Sequence, residues 1–268
     1  MKRKFSVVIC ASVLLASACA RQIESGGGQG TLMLSLSNAN QFELTKSVNE
    51  SIYGNTNYYD VVITSGNGKE VLKCTGAALA SNMPKSLDMG TYKIVASFGT
   101  EYPASRNDFY VEGSATIVLQ PREERNVEIN CAPTCGKVYA KFDSEMDKYF
   151  SSYSVEYSGT EALGAQAVTF AKGENDPWYI KLLPDGETVT YKISLTTRDE
   201  YQQKNNVGEI TKTAYVTGEF NLQRNKAHKL SIKPNYTPQD DGGMGLSIII
   251  DESTEERNVN IEVPVAWI

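Results

Sequence analysis

One histidine, His228, is all that the 268 residues contain. Any Ser-His-Asp or Cys-His nucleophilic arrangement would have to use it. It lies inside the strand-like run HKLSIK, beside a turn, and reads as a structural residue. No GxSxG elbow surrounds a serine, and HExxH, a P-loop and a GxGxxG set between strand and helix are all missing. Clustered cations are missing too: net charge is −6 and the isoelectric point is near 5.1. Nucleic acid is thereby excluded as a partner, because neutralising its phosphates takes grouped Lys and Arg. Carboxylates are plentiful, among them Asp176, Asp185, Asp240, Asp241 and Glu252. Nothing selects from them the pair that glycoside hydrolysis needs. Asp240 and Asp241 in QDDGG offer oxygens to calcium but lack the spaced ligands of an EF-hand, so the stretch reads as a turn. The chain is expected to be no enzyme and to hold no metal or cofactor.

Long apolar runs occur only at the start. Met1-Lys2-Arg3-Lys4 precede an apolar stretch from Phe5 to Ala18, the pattern of a secretory signal. It is too short to span a bilayer comfortably, which takes roughly 20 apolar residues. Ser17-Ala18-Cys19 resembles a bacterial lipobox, in which the cysteine becomes the first mature residue and carries acyl chains. Ala16 departs from the pattern, where Leu is usual and here stands one place earlier as Leu15. Ordinary cleavage near Ala20, with loss of Cys19, is the alternative; Cys10 lies too deep in the apolar run to compete. Each buried methylene of an acyl chain contributes about 0.8 kcal/mol, so several chains on Cys19 give lasting attachment. RQIESGGGQG follows, with Gly26, Gly27, Gly28 and Gly30, a flexible tether. The expected arrangement is a signal at 1–18, a lipidated linker at 19–29 and a body anchored at the outer membrane, facing the cell surface.

Cysteine is scarce in the body. Of five, Cys74, Cys131 and Cys135 remain after the signal and the lipid site. An odd count cannot all pair internally. Cys131 and Cys135, in CAPTC, are close enough for a small-loop disulfide, and Cys74 with Cys131 is the other option.

Helical periodicity is also nearly absent; DSEMDKYF at 143–150 has room for one short turn. Two-residue alternation fills the space instead. Leu32, Leu34 and Leu36 share one face, with Met33 on the other; Tyr92, Ile94, Ala96 and Phe98 do the same in GTYKIVASF. The second half repeats the first. TYKI occurs at 91–94 and 190–193, and LQPREERNVEI at 119–129 aligns without a gap to LQRNKAHKLSI at 222–232. GTLMLSL at 30–36 resembles GKVYAKF at 136–142, and YDVVITSG resembles YSVEYSG, all at separations of about 100 residues. That period suits a sandwich-sized domain, since solenoid repeats run about 20–50 residues. The expected fold is all-β: two tandem Ig/transthyretin-like sandwiches, 30–133 and 134–268, divided near CAPTCG. A tail exceeds the repeat. GLSIIIDE is a further strand, and NVNIEVPVAWI sets Val259, Ile261, Val263, Val265 and Trp267 on one face.

Fifteen tyrosines make a rich supply of flat rings. Trp178 and Tyr179 follow a proline turn in NDPWYI, and Tyr53, Tyr58 and Tyr59 surround a polar loop. An exposed row of such rings would stack on sugars, although one of each neighbouring pair normally points into a core.

With the lipobox, the GxLxLxL-like opening strand, GTYKIVASFG and NVEINCAPTCGKVYAKF taken together, residues 19 to 235 resemble the cell-surface lipoproteins of Bacteroides, a domain-of-unknown-function family. These are similar in layout to the fimbrillin-like proteins with two tandem transthyretin-like sandwiches. The resemblance implies an adhesion or pilus accessory or anchor role, in which a terminal strand such as 258–267 completes a neighbour's sheet. No Arg or Lys processing site stands out after the first strand, which with a retained lipid favours an anchor over a shaft subunit. A glycan-binding lipoprotein beside a polysaccharide-uptake system is the alternative, with Trp178 and Tyr179 as its contacts.

Overall fold

The computed structural model of the chain describes residues 28–42, 50–199, 213–238, 244–254 and 257–264, with side chains described as far as residue 235. Cys10, Cys19 and the Gly-rich tether before residue 28 lie outside them, as do Asp240, Asp241, Val265 and Trp267.

The first half supplies β1 (Gln29–Asn38), β2 (Asp60–Ser65), β3 (Glu70–Thr75), β4 (Lys85–Asp88), β5 (Gly90–Phe98), β6 (Ala104–Ser105), β7 (Val111–Leu119) and β8 (Glu124–Pro133). The helix α1 (Gly76–Asn82) and two 3-10 turns, Glu50–Gly54 and Thr56–Tyr58, are its helical pieces. The second half supplies β9 (Cys135–Phe142), β10 (Phe150–Ser158), β11 (Val168–Ala171), β12 (Trp178–Lys181), β13 (Glu187–Thr197), β14 (Thr213–Leu222) and β15 (Ala227–Pro238). The expected short turn is α2 (Met146–Tyr149), and the tail forms β16 (Met244–Thr254) and β17 (Arg257–Pro264). The fold is predominantly all-β, with several sheets of sandwich type.

Alternation becomes burial where it was expected. Leu32 is fully buried and Leu34 nearly so, while Met33 on the opposite face is exposed. Tyr92, Ile94 and Ala96 line the same cluster, together with Val61, Ile63, Leu119 and Ile129. A second cluster gathers Val138, Ala140, Val155, Tyr157, Ile193, Leu195, Leu230 and Ile232. Burial of each large side chain contributes about 1.5–3 kcal/mol, so the two clusters carry the fold.

Strand order exposes the repeat. One sheet runs β3-β2-β5-β7-β8-β1-β4, but β7 meets β8 only at Val111↔Pro133 and Glu112↔Ala132. It therefore consists of a four-stranded part and a β8-β1-β4 part. The second half gives a separate four-stranded sheet, β11-β10-β13-β14, and a sheet β17-β16-β15-β9-β12-β6 containing the matching trio β15-β9-β12. β1 lies parallel to β8 with Leu34 opposite Val127 and Leu36 opposite Ile129. β9 lies parallel to β15 with Ala140 opposite Leu230 and Phe142 opposite Ile232. These are the partners that the gapless alignment of 119–129 with 222–232 pairs.

The corner leading into β8 and into β15 is duplicated down to single bonds. Arg122 and Asn225, equivalent in the alignment, both take a left-handed backbone, with φ of 62° and 60°. Arg122 N donates to Gln29 O at 2.7 Å and Asn225 N donates to Cys135 O at 2.8 Å. Beneath each corner lies a glycine. A Cβ on Gly30 would meet Gln120 O at 2.6 Å and Leu119 Cγ at 2.7 Å; one on Gly136 would meet Leu222 Cγ at 2.5 Å. The paired glycines and leucines recur because each leucine closes its cluster against a bare backbone.

The tail extends its own sheet. β15 pairs with β16 from His228↔Thr254 to Pro238↔Met244, and β16 pairs with β17 from Ser247↔Pro264 to Thr254↔Arg257. Among the described residues β17 ends the sheet as an edge strand.

Overpacking a filled site costs about 1–3 kcal/mol. Gly30→Ala and Gly136→Ala are each expected to lower stability by that amount in urea titrations. Gly30→Ala should lose more, because its new methyl meets a backbone oxygen. Gly54→Ala, where nothing lies within 4 Å of an added Cβ, should be close to neutral.

Candidate functional site

The chain passes from one half to the other at Thr134, the single residue between β8 and β9. Beyond it the two-residue alternation disappears: Cys135, Gly136, Lys137 and Val138 are all buried. One face of β9 packs on its own cluster through Val138, and the other meets the first half through Cys135. β12 is covered on both sides in the same way, Ile180 belonging to one cluster and Tyr179 to the other.

On the covered face lies a charged group. Lys137 Nζ stands 2.9 Å from Glu50 Oε1, with side chains 1% and 0% exposed. Tyr179 donates its hydroxyl to the same carboxylate oxygen. Around them stack Phe109 with Tyr179 at 4.7 Å and Tyr53 with Phe109 at 3.8 Å between ring centroids. Phe42 packs at 5.7 Å from Tyr179, and the Lys137 ammonium lies 5.8 Å from the Phe42 centroid. Glu50, Tyr53, Phe42 and Phe109 come from the first half, Lys137 and Tyr179 from the second. Removing two charges from water costs several kcal/mol per ion, recovered only when the pair is close and further hydrogen-bonded. The Tyr179 hydroxyl supplies that additional bond.

Two polar clamps flank this centre. Arg106 donates to Asp176 O at 2.9 Å and Thr169 O at 2.7 Å, pairs with Glu174 at 2.9 Å, and lies 4.6 Å over the Trp178 ring. Asn225 accepts from Gln41 N at 2.8 Å and donates to Ala39 O at 2.6 Å. β6 adds to the second half's sheet through Tyr179↔Ser105 and Ile180↔Ala104.

The residues singled out from the sequence fall as follows. Tyr179 is 2% exposed, and Trp178 is half-buried under Arg106 with its indole N–H donating to Thr169 O at 3.2 Å. They form an interior strand and not an open sugar platform, since β12 is covered on both faces. Tyr53 and Tyr59 are buried and Tyr58 is exposed. Cys131 and Cys135 are free thiols, as is Cys74, so neither expected disulfide is formed in this structure. The crossing carries Cys135 into the junction beside Lys137, while Cys131 Sγ is directed to Ala96 O at 3.8 Å. His228 is fully buried and stacks on Phe220 at 3.4 Å between centroids. Val259, Ile261 and Val263 lie in β17. Sequence reasoning missed the junction group; a charged Lys137 inside a buried run was its only signal.

Burial raises several acids. The Cys131 thiol is pushed up to about 11 by burial and then by Glu112. Tyr59 is pushed up to about 12, mainly by burial. Tyr153 also reaches about 12, by burial and then its hydrogen bond to Asp147. Among the described residues no group of three or more His, Cys, Asp or Glu could hold a metal ion, and no helix is long and apolar enough to cross a membrane.

The family model described as Domain of unknown function DUF4493 matches residues 28–265, and the chain belongs to this family. No curated protein matches it. Among solved structures it is similar to a candidate adhesin from Bacteroides ovatus, at 11% identity over 87% of this chain and 95% of the other, with a TM-score of 0.46. A candidate polysaccharide-binding protein from Bacteroides thetaiotaomicron is 11% identical over 84% of this chain and 97% of the other, with a TM-score of 0.40. The fimbrial anchor protein Mfa2 from Porphyromonas gingivalis is 10% identical over 84% and 98%, with a TM-score of 0.36. Scores this low carry no inference about this chain.

Leaving one member of a buried ion pair alone costs about 3–5 kcal/mol. Lys137→Met or Glu50→Leu should each cost that much in chemical denaturation, and the variant carrying both should cost less than the two singles summed. Additive losses would contradict the coupling. A separate expectation concerns pH. The folded state holds the protons of Cys131, Tyr59 and Tyr153 more tightly than the unfolded chain, whose ordinary values are 9.0 and 10.0. Their contribution is complete below about pH 9 and is lost as pH rises to about 12. The urea midpoint should fall across that window, with the 295 nm phenolate absorbance rising alongside unfolding.

Proposed function

We propose that the protein is a non-enzymatic, membrane-anchored surface lipoprotein of fimbrillin-like type, serving as an adhesion or pilus accessory or anchor subunit. In this reading 1–18 is the signal and 19–29 the tether lipidated at Cys19. Residues 30–133 and 134–268 are two tandem transthyretin-like sandwiches, the second carrying an additional hairpin. The observation that carries the proposal is that hairpin: β16 and β17 exceed the repeated unit and leave β17 at a sheet edge. An edge strand presents unpaired backbone groups on which another strand can form. The self-packed hairpin supports an anchor or accessory that receives a neighbour over a shaft subunit that gives its strand away. The buried junction supports the same role, since a load-bearing subunit gains from halves that do not swivel. Its partners are then the membrane, through the lipid, and other pilus subunits. The glycan reading based on Trp178 and Tyr179 loses its contacts to the interior.

Two measurements test it. In a Bacteroides host, Cys19→Ser should move the chain out of the outer-membrane fraction and abolish labelling by a fatty acid analogue; unchanged fractionation would refute the anchor. Deleting residues 257–268 should leave the thermal transition of the body in place and abolish the chain's co-migration with fimbrial subunits on native gels. Undiminished co-migration would rule out the edge as the contact.

A further inference from the structure

Away from the hairpin, a cavity of about 290 Å3 opens where the two halves meet. The loop after β5 forms one wall with Glu101 and Tyr102; the other comes from Glu161, Lys181, Glu187 and Arg224 of the second half. The size is near the lower end of ligand pockets, about 300 Å3, enough for about one pyranose ring.

Its walls are held in place by internal bonds. Lys181 Nζ pairs with Glu101 at 2.9 Å, tying one half to the other. The Glu187 carboxylate accepts from Glu161 N at 2.7 Å and Leu183 N at 2.9 Å. Arg224 Nε donates to Leu182 O at 2.8 Å, which fixes the guanidinium plane. The terminal nitrogens of Arg224, the Glu161 carboxylate and the Tyr102 hydroxyl make no hydrogen bond to the described residues. Tyr102 is 50% exposed, so its ring is available as a flat face at the rim.

From this geometry we propose that the cavity is a binding site for a neutral saccharide. A sugar hydroxyl both donates and accepts, and here donors on Arg224 and acceptors on Glu161 line the same cavity. An aromatic face beside them suits the C–H side of a pyranose. Three carboxylates against two cations leave no net attraction for an anionic ligand. The cavity needs both halves, because Tyr102 and Glu101 come from one and Arg224 and Glu187 from the other. It is separate from the β17 edge, so either assignment can fail without the other.

The test is a chemical-shift titration of the full mature chain, residues 19–268 carrying Cys19→Ser, with maltose, mannobiose, lactose and, for comparison, digalacturonate. At least one neutral disaccharide is expected to bind with Kd on the order of 1 mM and to shift Tyr102 and Arg224 resonances. Tyr102→Ala should raise Kd at least about tenfold with an unchanged melting temperature, and Tyr102→Phe should stay within about threefold. The proposal is overturned if no neutral sugar shifts these resonances by about 20 mM, if digalacturonate binds more tightly, or if Tyr102→Ala binds as well as the parent.

Discussion

The ion pair between Lys137 and Glu50, with the Tyr179 hydroxyl on the same carboxylate, is the constraint on which the relation of the two halves depends. An ion pair in a dry interior stabilises only in a narrow range of geometries. Phe42, Phe109 and Tyr53 are packed around it and exclude the water that would relax that requirement. The apolar contacts supply attraction, and the charges decide which arrangement of the halves is permitted. Arg106 and Asn225 hold the flanks, so the same arrangement is specified from three directions.

The two halves resemble each other in some places and not in others. The corners at Arg122 and Asn225 share backbone shape, hydrogen bonds and an underlying glycine. Their side chains do different work. Arg122 is exposed, whereas Asn225 accepts a left-handed backbone readily and uses both ends of its amide to hold the segment after β1. Likewise β1 and β9 pair in the same register, but only β9 is covered on both faces. The differences concentrate where one copy touches the other.

Legibility followed the same division. Strands with one wet and one dry face, such as β1 and β5, were readable because alternation reports a single buried side. The repeat was readable because register is a property of spacing, and Leu34 with Val127 or Ala140 with Leu230 preserves it. β12 was not readable: a strand covered on both sides does not alternate, and Trp178 and Tyr179 after a proline turn suit a core and an exposed platform alike. Lys137 and Glu50 are separated by 87 residues and carry no local signal of each other. The thiols of CAPTC were close in sequence, but the crossing sends them to different surroundings. The cavity at Tyr102 was equally hidden, being assembled from loops and strand ends whose proximity only the tertiary structure creates.

The parallel pairing of β1 with β8 has a mechanical consequence. Eight residue pairs, from Thr31↔Glu124 to Asn38↔Cys131, run along the strand through which the chain enters the body. Tension arriving from the amino-terminal side pulls β1 along its own axis and loads those hydrogen bonds in shear, all at the same time. A hairpin pulled at its open end would instead unzip one bond after another. Under the proposed anchorage at Cys19, load from the membrane therefore acts first on this shear-loaded strand.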